Sequence, residues 1–105
     1  MGLIIYWTDF AKSEVKVVFN YLKRTENLNF AKKFVAEILI EPNILSLFPE
    51  LGKIEENLIQ SSKEYRYLTY KNHKIIYWIN LDKNQIEIMD VFDCRQDLVN
   101  IKRNK

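Results

Sequence analysis

The hydrophobic period of this chain changes once, at "FPELG" (48–52), and that change limits the folds open to it. Before it, Ala11, Val15, Val18 and Leu22 recur at i, i+4, i+7 and i+11, the stripe of an amphipathic helix. Phe34, Ile38, Leu45 and Phe48 keep helical spacing in a second segment. Pro42 interrupts it, since its ring crowds the preceding turn and it has no N–H to donate, so a kink or restart is expected near Glu41. Pro49 cannot continue a helix, and Gly52 is free to take a positive φ and end it. Beyond Gly52 the helical pattern is gone. "ENLIQ", "EYRYLTY", "HKIIYWIN" and "QIEIMDVF" are short β-rich runs, the last three separated by "KN" (71–72) and "LDKN" (81–84) at hairpin distances.

Ahead of the helices, "LIIYW" (3–7) reads as a buried strand, and Thr8 as the cap of the first helix. "RTENLN" (24–29) breaks the helical pattern, with Asn29 as the expected second N-cap. The tail "RQDLVNIKRNK" is expected to add one helical turn and then fray. Strand, two helices, then an antiparallel meander is an α+β order: an N-terminal strand and a helical hairpin packed on a small antiparallel β-sheet. The 105 residues, 48% of them hydrophobic, suffice for one domain spanning 1–105 with a core of its own.

Composition removes most cofactor chemistry. Gly2 and Gly52 are the only glycines, so no glycine-rich phosphate loop can form. One cysteine, Cys94, and one histidine, His73, rule out a thiolate zinc site and most imidazole metal sites; neither metal nor cofactor is expected. No apolar run reaches the roughly 18 residues of a membrane span, and "MGLIIYWTDF" lacks the basic start of a signal peptide. The expectation is a soluble, cytoplasmic domain with no membrane partner. The net charge of +2 is modest, but it is unevenly placed. Residues 1–60 carry 7 basic and 8 acidic side chains, residues 61–105 carry 9 and 6.

The basic excess coincides with "YRYLTYKNHKIIYWIN" (65–80), where four tyrosines and a tryptophan are threaded with Arg66, Lys71, His73 and Lys74. Strand alternation puts Arg66, Leu68 and Tyr70 on one face and Tyr65, Tyr67 and Thr69 on the other. In the next strand Lys74, Ile76 and Trp78 oppose His73, Ile75, Tyr77 and Ile79, so Lys74 and Tyr77 point apart unless a bulge intervenes. Two readings stand side by side. Lys63, Arg66, Lys71, His73 and Lys74 can neutralise phosphates while tyrosines stack on bases. Against that, Tyr and Trp are good strand formers and exposed cations keep a sheet soluble, and composition alone favours this plainer reading. In "VFDCRQDL" (91–98), Arg95 between Asp93 and Asp97 is either a surface ion pair or an anion contact at a strand end.

Taken in order, the helical hairpin ending in "LFPELG", then "YRYLTY", "HKIIYWI" and "IEIMDVFDCRQDL" resemble the RelE/ParE superfamily of bacterial type II toxin–antitoxin toxins, from Ile4 to Leu98. The resemblance implies a small cytoplasmic toxin causing growth arrest, a role in plasmid stabilization, and a cognate antitoxin protein that holds it inactive. Two targets are implied by different branches. ParE-like members inhibit DNA gyrase; RelE-like members are metal-independent endoribonucleases that cut ribosome-bound mRNA. By position, Arg66 matches the arginine of the first hairpin strand, Lys74 an arginine of the next, Tyr77 its closing tyrosine, and Arg95 the final arginine. Asp93 stands where many of the nucleases have histidine. If the chain is a ribonuclease, Arg66, Lys74 and Arg95 supply cations, with Tyr77 and Asp93 beside them. The loss of that histidine and the modest charge favour gyrase; a non-toxic protein-binding module is the remaining alternative.

Overall fold

The computed structural model describes residues 2–56 and 63–96. The chain opens with strand β1 (Ile4–Trp7), then helices α1 (Asp9–Thr25) and α2 (Leu28–Ile40), and a 3-10 segment over Glu41–Ser46. Strands β2 (Lys53–Ile54), β3 (Arg66–Tyr70), β4 (His73–Asn80) and β5 (Gln85–Asp93) follow, closed by a 3-10 turn at Cys94–Gln96. The sheet order is β1-β5-β4-β3-β2. From β1 the chain crosses through the hairpin to the far edge, then returns strand by strand until β5 lies against β1. That return makes the β1–β5 pair parallel and leaves the other pairs antiparallel. The sheet is therefore mixed, and "LIIYW" forms an edge strand, half exposed, where a buried one was expected.

The first helix follows its sequence pattern. Thr8 accepts a hydrogen bond from the Ala11 amide, and Ala11, Val15, Val18 and Leu22 are its buried residues. The second helix starts two residues earlier than expected, capped by Asn27, whose Oδ1 accepts from the Phe30 amide at 2.8 Å. Asn29 lies inside the first turn. Pro42 acts as anticipated: α2 stops at Ile40 and the chain tightens into the 3-10 segment with the proline in its first turn. Ile38 and Leu45 are fully buried, but Phe48 turns outward and is 58% exposed. Truncating Ile38 to alanine would cost about 3 kcal/mol, because the site is closed on all sides.

Lys71 and Asn72 both adopt positive φ, as a two-residue hairpin turn demands, and Asn84 does so at the end of the next turn. β4 and β5 slip in register between Ile76 and Tyr77. Ile76 pairs with Asp90 and Tyr77 with Ile88, leaving Met89 as the extra residue. The bulge lets Ile88 and Val91, three apart, both reach the core beneath the helices. Because the extra residue sits in β5, alternation in β4 is unbroken. Tyr77 joins the core under the helices, whereas Ile76 packs with Phe92, Tyr65, Tyr67 and Met89 in a smaller cluster on the opposite face.

Two further expectations met a different outcome. Gly52 does not adopt a positive φ. It is required for space: a Cβ there would lie 2.6 Å from the Tyr77 hydroxyl and 2.7 Å from the Tyr67 carbonyl oxygen. The strand after it is Lys53–Ile54, two residues long, and most of "ENLIQ" lies outside the described residues. Of the tail, one 3-10 turn is described and residues 97–105 lie outside, Asp97 and Leu98 included.

Candidate functional site

The five residues picked out for chemistry occupy three places. The first is a corner where the 48–52 turn folds onto the sheet. Tyr77 is fully buried there; its hydroxyl donates to the Pro49 carbonyl at 2.7 Å and accepts from the Gly52 amide at 2.9 Å. Burial pushes this phenol up, with the Gly52 hydrogen bond and the nearby Arg66 charge pulling the other way, so it stays protonated. Arg66, paired across the ladder with Tyr77, sends one guanidinium nitrogen to the Gly52 carbonyl at 2.9 Å and to Glu50 O at 3.4 Å. Glu64 lies 3.7 Å from its other terminal nitrogen. Arg66 and Tyr77 thus fasten the turn to β3 and β4. The hydrogen bonds described at this corner all go to backbone, while Arg66 Nε is buried without a partner among the described residues.

The second place is the sheet face away from the helices. Lys74 Nζ sits 2.8 Å from Glu55 Oε1 and 4.2 Å from the Tyr67 ring centroid. Burial opposes its charge; the Glu55 hydrogen bond and carboxylate charge outweigh that and raise its pKa. Glu55 itself is 3% exposed. Lys63 Nζ lies 5.0 Å over the Trp78 ring. Ile76 and Phe92 beneath are almost wholly covered. The aromatic cationic stretch is thus folded onto itself, cation against ring, and does not form an open platform.

The third place is the far end of β4 and β5. His73 pairs with Asp93, is buried against Phe34, and holds Nδ1 3.1 Å from the Lys71 carbonyl oxygen. Lys71 is exposed, 3.9 Å from Glu37 and over the ring of Tyr70. Asp93 accepts from Arg95 Nε at 2.9 and 3.1 Å and from the Arg95 amide at 2.9 Å. Arg95 beside Asp93 holds its carboxyl below the usual carboxylate range. A cavity of about 340 Å³ opens here between α1 and the strand ends, with Tyr21, Arg24 and Glu14 on its helix side and His73 and Asp93 on its sheet side.

The separation of these places follows from register. Tyr77 and His73 are four residues apart on β4, about 13 Å along the strand. Arg66 flanks the first and Asp93 the second, on opposite neighbours of β4. Lys74 projects from the other face. Among the described residues, Arg66, Lys74 and Arg95 do not line one cleft, and no cluster of potential metal ligands is present. Sequence reasoning missed Glu55, Tyr21 and Arg24. Nothing distinguishes Glu55 from Glu56 until β2 is placed, whereas Tyr21 and Arg24 had a readable signal, being three apart on α1 beside its buried stripe.

No helix among the described residues is long and apolar enough to cross a membrane. No family model matches the sequence, and no curated protein matches it. Solved structures do. A chain of the chromosomal ParDE TA system from P. aeruginosa superposes with a TM-score of 0.71 at 15% identity, covering 87% of this chain and 95% of that one. A double arginine-to-alanine mutant of E. coli toxin RelE in the free state superposes with a TM-score of 0.51 at 13% identity, covering 99% and 94%. Two helices on a five-stranded mixed sheet match the fold of these structures: this chain has the RelE/ParE toxin fold.

Proposed function

We propose that this chain is the toxin of a type II toxin–antitoxin pair, held inactive in the cytoplasm by a cognate antitoxin, and that it acts in the ParE manner, on DNA gyrase. The observation that carries the choice of target is the dispersal of the cations. Cleavage of RNA needs positive charge converging on one strained phosphate and a group able to give a proton to the leaving oxygen. Here Arg66 is spent on carbonyl oxygens, Lys74 on Glu55, and Asp93 is held ionised by Arg95. The closer superposition on the ParDE chain supports the same reading. A surface for the antitoxin is available on the apolar side chains of Ile40, Ile44, Leu47, Phe48 and Leu51, all exposed between the end of α2 and the start of β2.

The test is induction of the chain alone and beside the product of the neighbouring reading frame. Growth arrest relieved by co-expression is expected. Normal growth at high soluble yield would make the chain a binding module instead. Purified protein should inhibit gyrase supercoiling and leave mRNA on programmed ribosomes intact. Ribosome-dependent cleavage, lost in Arg95→Ala, would assign the RelE-like endoribonuclease activity in its place.

A further inference from the structure

Around the cavity between α1 and the strand ends, His73, Tyr21 and Arg24 have hydrogen-bonding capacity that the fold does not use. His73 is the most buried of them. It is 7% exposed, and its ring forms part of the cavity wall with the buried side chains of Val18, Val91 and Phe92. Its Nδ1 lies 3.1 Å from the Lys71 carbonyl oxygen. A carbonyl only accepts, so Nδ1 carries the proton and the neutral ring leaves Nε2 as an acceptor. Among the described residues Nε2 has no hydrogen-bond partner, which is unusual for a side chain so covered. Tyr21 and Arg24 stand nearer the surface. The Arg24 guanidinium lies 5.7 Å from the Tyr21 ring centroid, and among the described residues neither it nor the Tyr21 hydroxyl is hydrogen-bonded.

We infer that this cavity binds a small organic oxyanion, a phosphate ester or a carboxylate, whose body also carries a hydroxyl or N–H donor. The charged end sits at Arg24 and Tyr21 by the mouth, and the donor reaches His73 Nε2 inside. The hydrogen-bond inventory selects that class. Of the two acids on the wall, Asp93 is bonded to Arg95 and Glu14 is also engaged, so a cation finds no carboxylate waiting for it. An oxyanion does find a guanidinium, able to give it two parallel hydrogen bonds. A bare inorganic anion held there would leave Nε2 unmet, and the Val18, Val91 and Phe92 side chains call for an apolar body between the two ends. The volume of about 340 Å³ accommodates one, at the lower end of the roughly 300–1,000 Å³ usual for small-molecule sites. Arg24 also suits the last turn of α1, where a cation complements the helix dipole with or without a ligand. The inference therefore rests on His73 and the cavity as well as on Arg24. None of the side chains proposed for the antitoxin lines this cavity.

NMR titration of the full chain tests the site, because His73 is the only histidine and gives one imidazole to follow. The probes are adenosine monophosphate and para-hydroxybenzoate, each with an oxyanion, a flat body and a donor. Saturable shifts of the His73 imidazole and of the Val91 and Asp93 amides are expected with at least one probe, at a Kd of about 0.1–1 mM, as a single charge-assisted contact in a partly exposed site gives. The tighter probe identifies phosphate or carboxylate as the preferred oxyanion. Inorganic phosphate lacks the body and benzoate the donor, and each should bind at least about tenfold more weakly. Arg24→Gln, at an exposed position, should keep the thermal midpoint and weaken the tighter probe about tenfold. No saturable shift with either probe at about 10 mM would overturn the inference. So would inorganic phosphate or benzoate binding as tightly as the probes, or an affinity unchanged in Arg24→Gln. None of these readouts depends on toxicity.

Discussion

Arg66 and Arg95 are both arginines set beside strand ends, and they do opposite work. Arg66 is mostly buried and hydrogen-bonded to Gly52 and Glu50 carbonyls, with Tyr77 below it completing the fastening of the 48–52 turn. Arg95 is 68% exposed along its side chain and bonds to Asp93, two residues away. The lesson is that side-chain identity and strand position do not assign a cation to ligand binding. What decides is whether its donors are met by distant backbone or only by a sequence neighbour that a ligand can displace.

That contrast can be broken by substitution. The largest effect is expected at Gly52→Ala. The new methyl would meet a backbone carbonyl and a buried hydroxyl that cannot both withdraw, costing about 3 kcal/mol in urea unfolding. If the midpoint barely moved, the corner would be looser than its geometry implies. Tyr77→Phe comes next, at about 2 kcal/mol, because the Gly52 amide loses its acceptor and the Pro49 carbonyl its donor. Tyr77 variants are therefore poor tests of catalysis, since they change the fold as well. Arg66→Met should cost about 1 kcal/mol, the aliphatic stem being kept while the carbonyl contacts are lost. A stability unchanged by this variant, together with lost toxicity, would move Arg66 from fastening to target binding.

The smallest effect on stability is expected at Arg95→Ala, whose thermal midpoint should match wild type at neutral pH, as for exposed ion pairs generally. Its signature is in acid. Asp93 has a depressed pKa in the folded chain, so the stability it adds is present above the unfolded carboxylate value of about 3.9 and disappears as pH falls through the lower folded value. Arg95→Ala should raise the Asp93 titration midpoint, followed by NMR, and flatten that part of the stability–pH curve. An unchanged Asp93 titration would mean that the pair does not form in solution.

Much of the fold was legible because it is dictated by local period and local caps. The α1 stripe, the Pro42 break, the three hairpin strands and the "KN" turn each depend on residues within a few positions of one another. The misplaced features depend on neighbours distant in sequence. Asn29 and Asn27 are equally good caps until α2 is packed. Phe48 keeps the helical spacing but is carried outward once the helix has ended. Gly52 reads as a helix stop by its freedom of φ, whereas its real constraint is Tyr77, 25 residues later.

The sequence by itself determined the α+β order, the amphipathic hairpin, and a resemblance strong enough in its ordered elements for the fold to agree with it. It indicated as well that Lys74 and Tyr77 point apart unless a bulge intervenes, and the structure settled the point by placing the extra residue of the bulge in β5. Only the tertiary structure decided what each cation faces. That depends on which strand ends adjoin which turn, on a bulge at Met89 that alternation does not reveal, and on a parallel closing pair that leaves β1 at the edge. Those are long-range pairings, fixed by burying both faces of β4 at once, and no local pattern contains them.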